Sequence, residues 1–176
     1  MFTIGHSTRT FDEFLALLRE HEVTRLADIR RYPGSRRHPH FSKEALEVSL
    51  PEHGVEYVHF VELGGRRKPL PDSPNGALRN EQFRAYADYM STAAFAAAVD
   101  RLVASEKTTA YMCAEAVPWR CHRNLLSDEL VRRAVPVFHI INPGAAKAHE
   151  LSRLATIDGE RIIYAPPQKP LGFGGL

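Results

Sequence analysis

The stretch FTIGHSTRTFDEFLALLREHEVTRLADI, residues 2–29, decides the fold. It opens on Phe2-Thr3-Ile4-Gly5, a short strand stopped by a glycine. Ser7, Thr8 and Thr10 are each suited to cap a following helix, because a side-chain oxygen there accepts from a free N–H of the first turn. Phe11, Phe14, Leu15 and Leu18 then recur at helical spacing. Arg25-Leu26-Ala27-Asp28-Ile29 reads as a second, buried strand. Strand, helix and strand within about thirty residues form a βαβ unit, whose two strands run parallel.

The alternation continues outward from this unit. Residues 30–41 form a loop carrying Pro33, Gly34 and Pro39. Ser42 is placed to cap a short helix through Ala45 and Leu46 that ends near Gly54. Residues 55–60 alternate as a third strand, and 64–76 form a second loop rich in Gly, Pro and basic residues. Two helical runs follow at 81–90 and 92–104, then a strand at 108–113, a helix at 123–134 and a strand at 135–141 with Pro136 at its start or on an edge. A last short strand is expected at 161–164. The fold class is therefore α/β: a single domain over residues 1–165, with a mostly parallel, Rossmann-like sheet of about five to six strands and helices on both faces. Residues 166–176 form a Pro/Gly-rich C-terminal tail.

Composition narrows the function classes. A hydrophobic fraction of 44% and a charged fraction of 25% are ordinary for a globular domain. A net charge of +2 argues against a uniformly basic polyanion binder. Two cysteines are too few for a disulfide framework, and no run approaches the roughly 20 apolar residues that span a bilayer. The start of the chain lacks the pattern of a signal peptide, so a reducing, cytoplasmic setting without a membrane is expected.

In open sheets of this kind ligands bind beyond the carboxyl ends of the strands, and the most reactive residues cluster there. Cys113 closes a strand; Glu115 follows in a loop, and a helix is expected to begin near Cys121-His122-Arg123. A helix start attracts anions and lowers the pKa of a nearby thiol. Cys113 and Cys121 are thus candidate nucleophiles, with His122 and Arg123 as anion donors. The layout matches anion-cradling cysteine enzymes, except that six residues rather than five separate Cys113 from Arg120. The competing reading is inert core, since cysteine is among the most buried residue types. Cys113, Cys121 and His122 also number three metal-type ligands where zinc usually takes four, so no metal and no cofactor is expected.

Two basic loops share that end of the sheet. Arg30, Arg31, Arg36 and Arg37, with Ser35 among them, lie in a stretch free of acids between Asp28 and Glu44. Arg66 and its neighbours follow Gly64 and Gly65. Arginine forks recognise phosphate or carboxylate, and Tyr32 and Phe41 suit stacking on a base. His6, beside Gly5 after the first strand, is a candidate acid/base; Asp28 is a candidate orienter of His6 or partner of Arg30. His139 reads as a strand residue and His149 as a helix-surface residue.

Thr3-Ile4-Gly5-His6-Ser7, Asp28-Ile29-Arg30 with Pro33 and Ser35, Phe41, Glu62-Leu63-Gly64-Gly65, and Cys113-Ala114-Glu115 with Cys121-His122-Arg123 occur in that order. In these motifs the chain resembles the family catalogued as domain of unknown function 488. The resemblance implies a compact α/β domain without an established activity. It also implies that Cys113, Cys121, His122, Arg123, His6, Asp28 and Arg30 are recurring polar positions. The expected function is an enzyme-like domain with a thiol-containing site for a small anion, phosphate or nucleotide, at the carboxyl ends of the strands. The alternatives are a nucleic-acid or nucleotide binding module without catalysis, and a cysteine-based redox or metal sensor.

Overall fold

The computed structural model describes residues 1–34 and 37–166. The first unit is β1 (Phe2–Gly5), α1 (Phe11–Glu20) and β2 (Arg25–Asp28). Of the three candidate caps, Thr10 holds the helix start. Its Oγ1 accepts from the Glu13 amide at 3.2 Å while Glu13 Oε2 accepts from the Thr10 amide at 2.8 Å, a reciprocal capping box. Then come α2 (Lys43–Glu52), capped by Ser42, β3 (Glu56–His59), α3 (Glu81–Met90), α4 (Ala93–Val103), β4 (Thr109–Cys113), α5 (Arg123–Arg132) and β5 (Phe138–Ile140).

The sheet order is β3-β2-β4-β1-β5-β6, where β6 (Lys147–Ala148) is a two-residue strand. All pairs are parallel except β5 with β6. The expected last strand exists as β8 (Arg161–Ile163), but it pairs with β7 (Thr156–Asp158) in a separate hairpin. The sixth strand of the main sheet is instead β6, too short to leave a periodic signal. His149, read as a helix-surface residue, lies just beyond β6. There its Nδ1 meets His139 Nε2 at 2.9 Å and its Nε2 meets Asp128 Oδ1 at 2.9 Å. The tail beyond residue 166 lies outside the described residues.

Strand alternation splits the core into two layers. Ile4, Leu26, Ala110, Met112 and Ile140 pack with Phe14 and Leu18 of α1 and Leu46 and Leu50 of α2. Ala27, Tyr111 and Cys113 face the other way, against Tyr86, Phe95, Val99, Leu126 and Leu130 of α3, α4 and α5. The neighbouring strands β1 and β4 therefore send their following helices to opposite faces. That arrangement makes a topological switch point, where the diverging loops leave a crevice.

Candidate functional site

His122 organises the crevice. It stands between a 3-10 turn, Pro118–Arg120, and the first residue of α5, and it makes no side-chain capping bond. Its Nε2 donates to the Ile29 carbonyl oxygen at 3.3 Å. A carbonyl only accepts, so in the neutral ring Nδ1 carries the free lone pair. That atom lies 3.7 Å from Cys121 Sγ and 4.0 Å from Cys113 Sγ. The Tyr86 ring packs against the imidazole at 4.9 Å between centroids, and its hydroxyl donates to the Leu63 carbonyl at 2.9 Å.

The two thiols form a coupled pair. Cys113 donates to Cys121, which pushes the Cys121 thiol well below its ordinary range against the opposing effect of burial; His122 and Arg123 add to the lowering. The same hydrogen bond and burial push Cys113 up. Ionisation therefore falls on Cys121. Among the described residues the two sulfurs and the imidazole, all within 4.8 Å of one another, are the one cluster of metal-type donors. They could hold a thiophilic ion on three positions, but no described Cys, His, Asp or Glu joins them as the fourth ligand of a closed tetrahedral site.

Beside the thiols sits a second polar group built on β2. Arg30 Nε and Nη2 reach the two Asp28 oxygens at 2.9 and 2.5 Å, and Tyr57 donates to the same carboxylate at 2.7 Å. Asp28 is fully buried, so this two-pronged geometry aims the Arg30 side chain. The remaining Nη1 meets His6 Nε2 at 3.3 Å, while His6 Nδ1 donates to the Ser7 carbonyl at 3.0 Å. Burial and the neighbouring Arg30 push the His6 pKa down to about 4. At neutral pH His6 is an uncharged acceptor that orients Arg30.

Arg123 is placed differently from the other arginines. It is 1% exposed. Nη1 donates to Thr3 Oγ1 at 2.9 Å and Nη2 to the Glu115 carbonyl at 2.6 Å. Its hydrogens point into the protein, where they hold the loop after β4 against β1. Gly5 permits that contact: a Cβ on it would lie 1.7 Å from the Glu115 carbonyl oxygen. Gly64 and Gly65 are similar. A Cβ on Gly64 would lie 2.8 Å from the Arg31 backbone, and one on Gly65 would lie 3.0 Å from His122 Nδ1.

These parts enclose a cavity of about 410 Å³. Cys113 and Cys121 are on its wall, with Arg30, Arg66, Glu115 and His122. His6 lines a neighbouring hollow, and Arg123 lines neither. Ser35 and Arg36 lie outside the described residues. Arg31, Tyr32 and Arg120 join the wall; each is a charged or aromatic member of a loop already singled out. Asn80, Gln82 and Phe83 come from the start of α3, which carried no chemical signal in the sequence.

A family model matches residues 10–130, the span that contains Asp28, Arg30, Gly64, Gly65, both cysteines and His122; it is described as Domain of unknown function DUF488. The chain belongs to the DUF488 family. Comparison with curated proteins gives no match, and neither does comparison with solved structures. The match takes in the whole thiol site, while β1 with His6 precedes it and β5, β6 and the β7–β8 hairpin follow. No described helix of this DUF488 chain is long and apolar enough to cross a membrane.

Proposed function

We propose that this DUF488 protein binds a phosphate-bearing anion, free or within a nucleotide, in the cavity over Cys113 and Cys121, and attacks it with a cysteine thiolate. One observation carries the reading. A histidine with its Nε2 tied to a backbone carbonyl turns its basic Nδ1 toward two thiols at 3.7 and 4.0 Å on the wall of a cavity at the switch point of the sheet. Thiol and positioned base are the working parts of nucleophilic catalysis.

In this reading His122 Nδ1 has taken the Cys121 proton, and the Cys121 thiolate Sγ bonds to phosphorus. The bond from phosphorus to the leaving oxygen breaks, and that oxygen takes the proton from His122. Water then cleaves the sulfur–phosphorus bond: its hydroxyl goes to phosphorus, its proton to His122 Nδ1, and Cys121 returns as the thiolate. Cys113 donates its S–H to the thiolate between turnovers. Arg30, aimed by Asp28 and His6, binds the anion with Arg66 and Arg120; Arg123 holds the loop and stays out of contact. The cytoplasm, where thiols stay reduced, is the compartment such chemistry needs.

The test is alkylation by iodoacetamide, read for each cysteine by mass spectrometry, with and without inorganic phosphate or a nucleotide. Cys121 is expected to react below the ordinary thiol pKa of about 8.5, and phosphate or nucleotide to protect it. Two thiols that react like free cysteine, with no protection, defeat the proposal. The closeness of the sulfurs also favours a dithiol–disulfide couple as a second reading. That reading requires peroxide to remove about two hydrogens from the intact protein, reversibly, without added ligand.

A further inference from the structure

The cavity over the thiols continues past its own rim. A second hollow, of about 650 Å³, shares Ala114, Glu115 and Arg120 with it and is walled on its far side by His6, Arg37 and His38. The two form one trough across the loops that follow β2, β4 and β1.

Three features of the trough exceed what a small anion requires. The first is repeated charge. Arg31 and Arg66 lie at one end, Arg120 at the join and Arg37 at the other end, and among the described residues none of the four makes an ion pair. Glu115 is the only acid among the described residues that line either hollow. Spaced cations along a trough match a chain with a phosphate at every repeat. The second is Tyr32, which is 65% exposed although it is a large aromatic residue. The guanidinium groups of Arg31 and Arg66 lie 5.9 and 5.8 Å from its ring centroid. An open ring flanked by cations is a stacking platform for a base whose phosphates the cations hold. The third is depth. Cys113 and Cys121 are 9% and 3% exposed, so a ligand reaches them only by entering the hollow. A duplex is too broad and stiff to enter, and its paired bases are turned away from Tyr32.

We infer that the trough takes single-stranded nucleic acid, with an unpaired base on Tyr32, phosphates along Arg31, Arg66, Arg120 and Arg37, and one backbone unit carried over the Cys113–Cys121 pair. This rests on the reading of the thiol cavity as an anion site and names the polymer that fills it.

The experiment is fluorescence anisotropy of the full-length protein with labelled single strands of roughly 12 nucleotides, as DNA and as RNA, against the same sequence as a duplex, across a series of KCl concentrations. Either strand is expected to bind at least about tenfold tighter than the duplex. Tyr32→Ala is expected to weaken strand binding by about 5- to 100-fold. Arg31→Ala and Arg66→Ala should each flatten the log–log salt slope by about 0.7. These side chains are on the surface, and a thermal melt confirms that the variants fold. Equal binding of strand and duplex, or strand affinity unchanged in Tyr32→Ala, overturns the inference. Two mixed results separate it from the reading beneath it. If inorganic phosphate protects the thiols from iodoacetamide while the strand binds no tighter than phosphate, the polymer is wrong and the anion–thiol site stands. If the strand binds through Tyr32 without protecting either thiol, the polymer stands and the thiol chemistry falls.

Discussion

A methyl group on Gly65 would stand 3.0 Å from Nδ1 of His122, the atom that faces both thiols. The contact is tight but borne by a side chain, so the imidazole can yield by a few tenths of an ångström. Gly65→Ala is expected to fold with a stability loss of about 1 kcal/mol or less and to slow alkylation of Cys121. Unchanged reactivity would show that His122 does not govern the thiol.

Gly5→Ala is a different case, because its Cβ would overlap the Glu115 carbonyl oxygen at 1.7 Å. Backbone must move, and Arg123 loses the carbonyl it holds. A loss of about 3 kcal/mol or more is expected, lowering Tm by roughly 10 °C in a domain of this size. A melt within a few degrees of wild type would refute the account of that contact.

Arg123 and Arg66 separate holding from binding. Arg123→Lys removes the planar fork that reaches Thr3 and Glu115 together. It is expected to cost about 1–3 kcal/mol through the buried groups left unpaired. Arg66 is exposed, so Arg66→Ala should change stability by about 0.5 kcal/mol or less while weakening phosphate binding. Urea unfolding alongside phosphate titration reads both.

Cys113 acts on Cys121 by donating a hydrogen bond. Cys113→Ser keeps a donor, and Cys113→Ala removes it. The pH at which Cys121 alkylation reaches half its maximal rate is therefore expected to rise more in the alanine variant than in the serine one. Equal shifts would mean that the thiol–thiol hydrogen bond does not set the reactivity.

Two buried histidines make the fold sensitive to acid. His6 and His139 are each pushed down to about 4 from the ordinary 6.5, chiefly by burial. Both are neutral in the native state and take up protons more readily once unfolded. Their contribution to stability is complete above pH 6.5 and is lost progressively as pH falls toward 4. The urea midpoint should drop over that window, and by less in His139→Gln. A slope unaffected by that substitution would remove His139 from the explanation.

Most of the fold was legible because its signals are local. The βαβ unit follows from the spacing of Phe11, Phe14, Leu15 and Leu18 between two apolar strands. What escaped notice was short or long-range. β6 has two residues, and its pairing with β5 depends on the chain folding back. His149 looked like a surface residue because its partners, Asp128 and His139, are 21 and 10 residues away.

The sequence by itself determined the α/β class and the alternation of strands and helices. It also brought the cysteines, the arginine loops and His6 to one end of the sheet, since parallel strands all finish there. Only the tertiary structure decided the role of each residue. Arg30 and Arg123 are the same residue type, and both lie in motifs at strand ends. Arg30 lines the cavity because Asp28 and Tyr57 aim it outward, whereas Arg123 turns inward because Thr3 and the Glu115 carbonyl take its hydrogens. The direction of a guanidinium is set by the acceptors that packing brings within 3 Å of it: for Arg123 these are Thr3 in β1, 120 residues away, and the Glu115 carbonyl in the loop after β4, which folds back over eight residues.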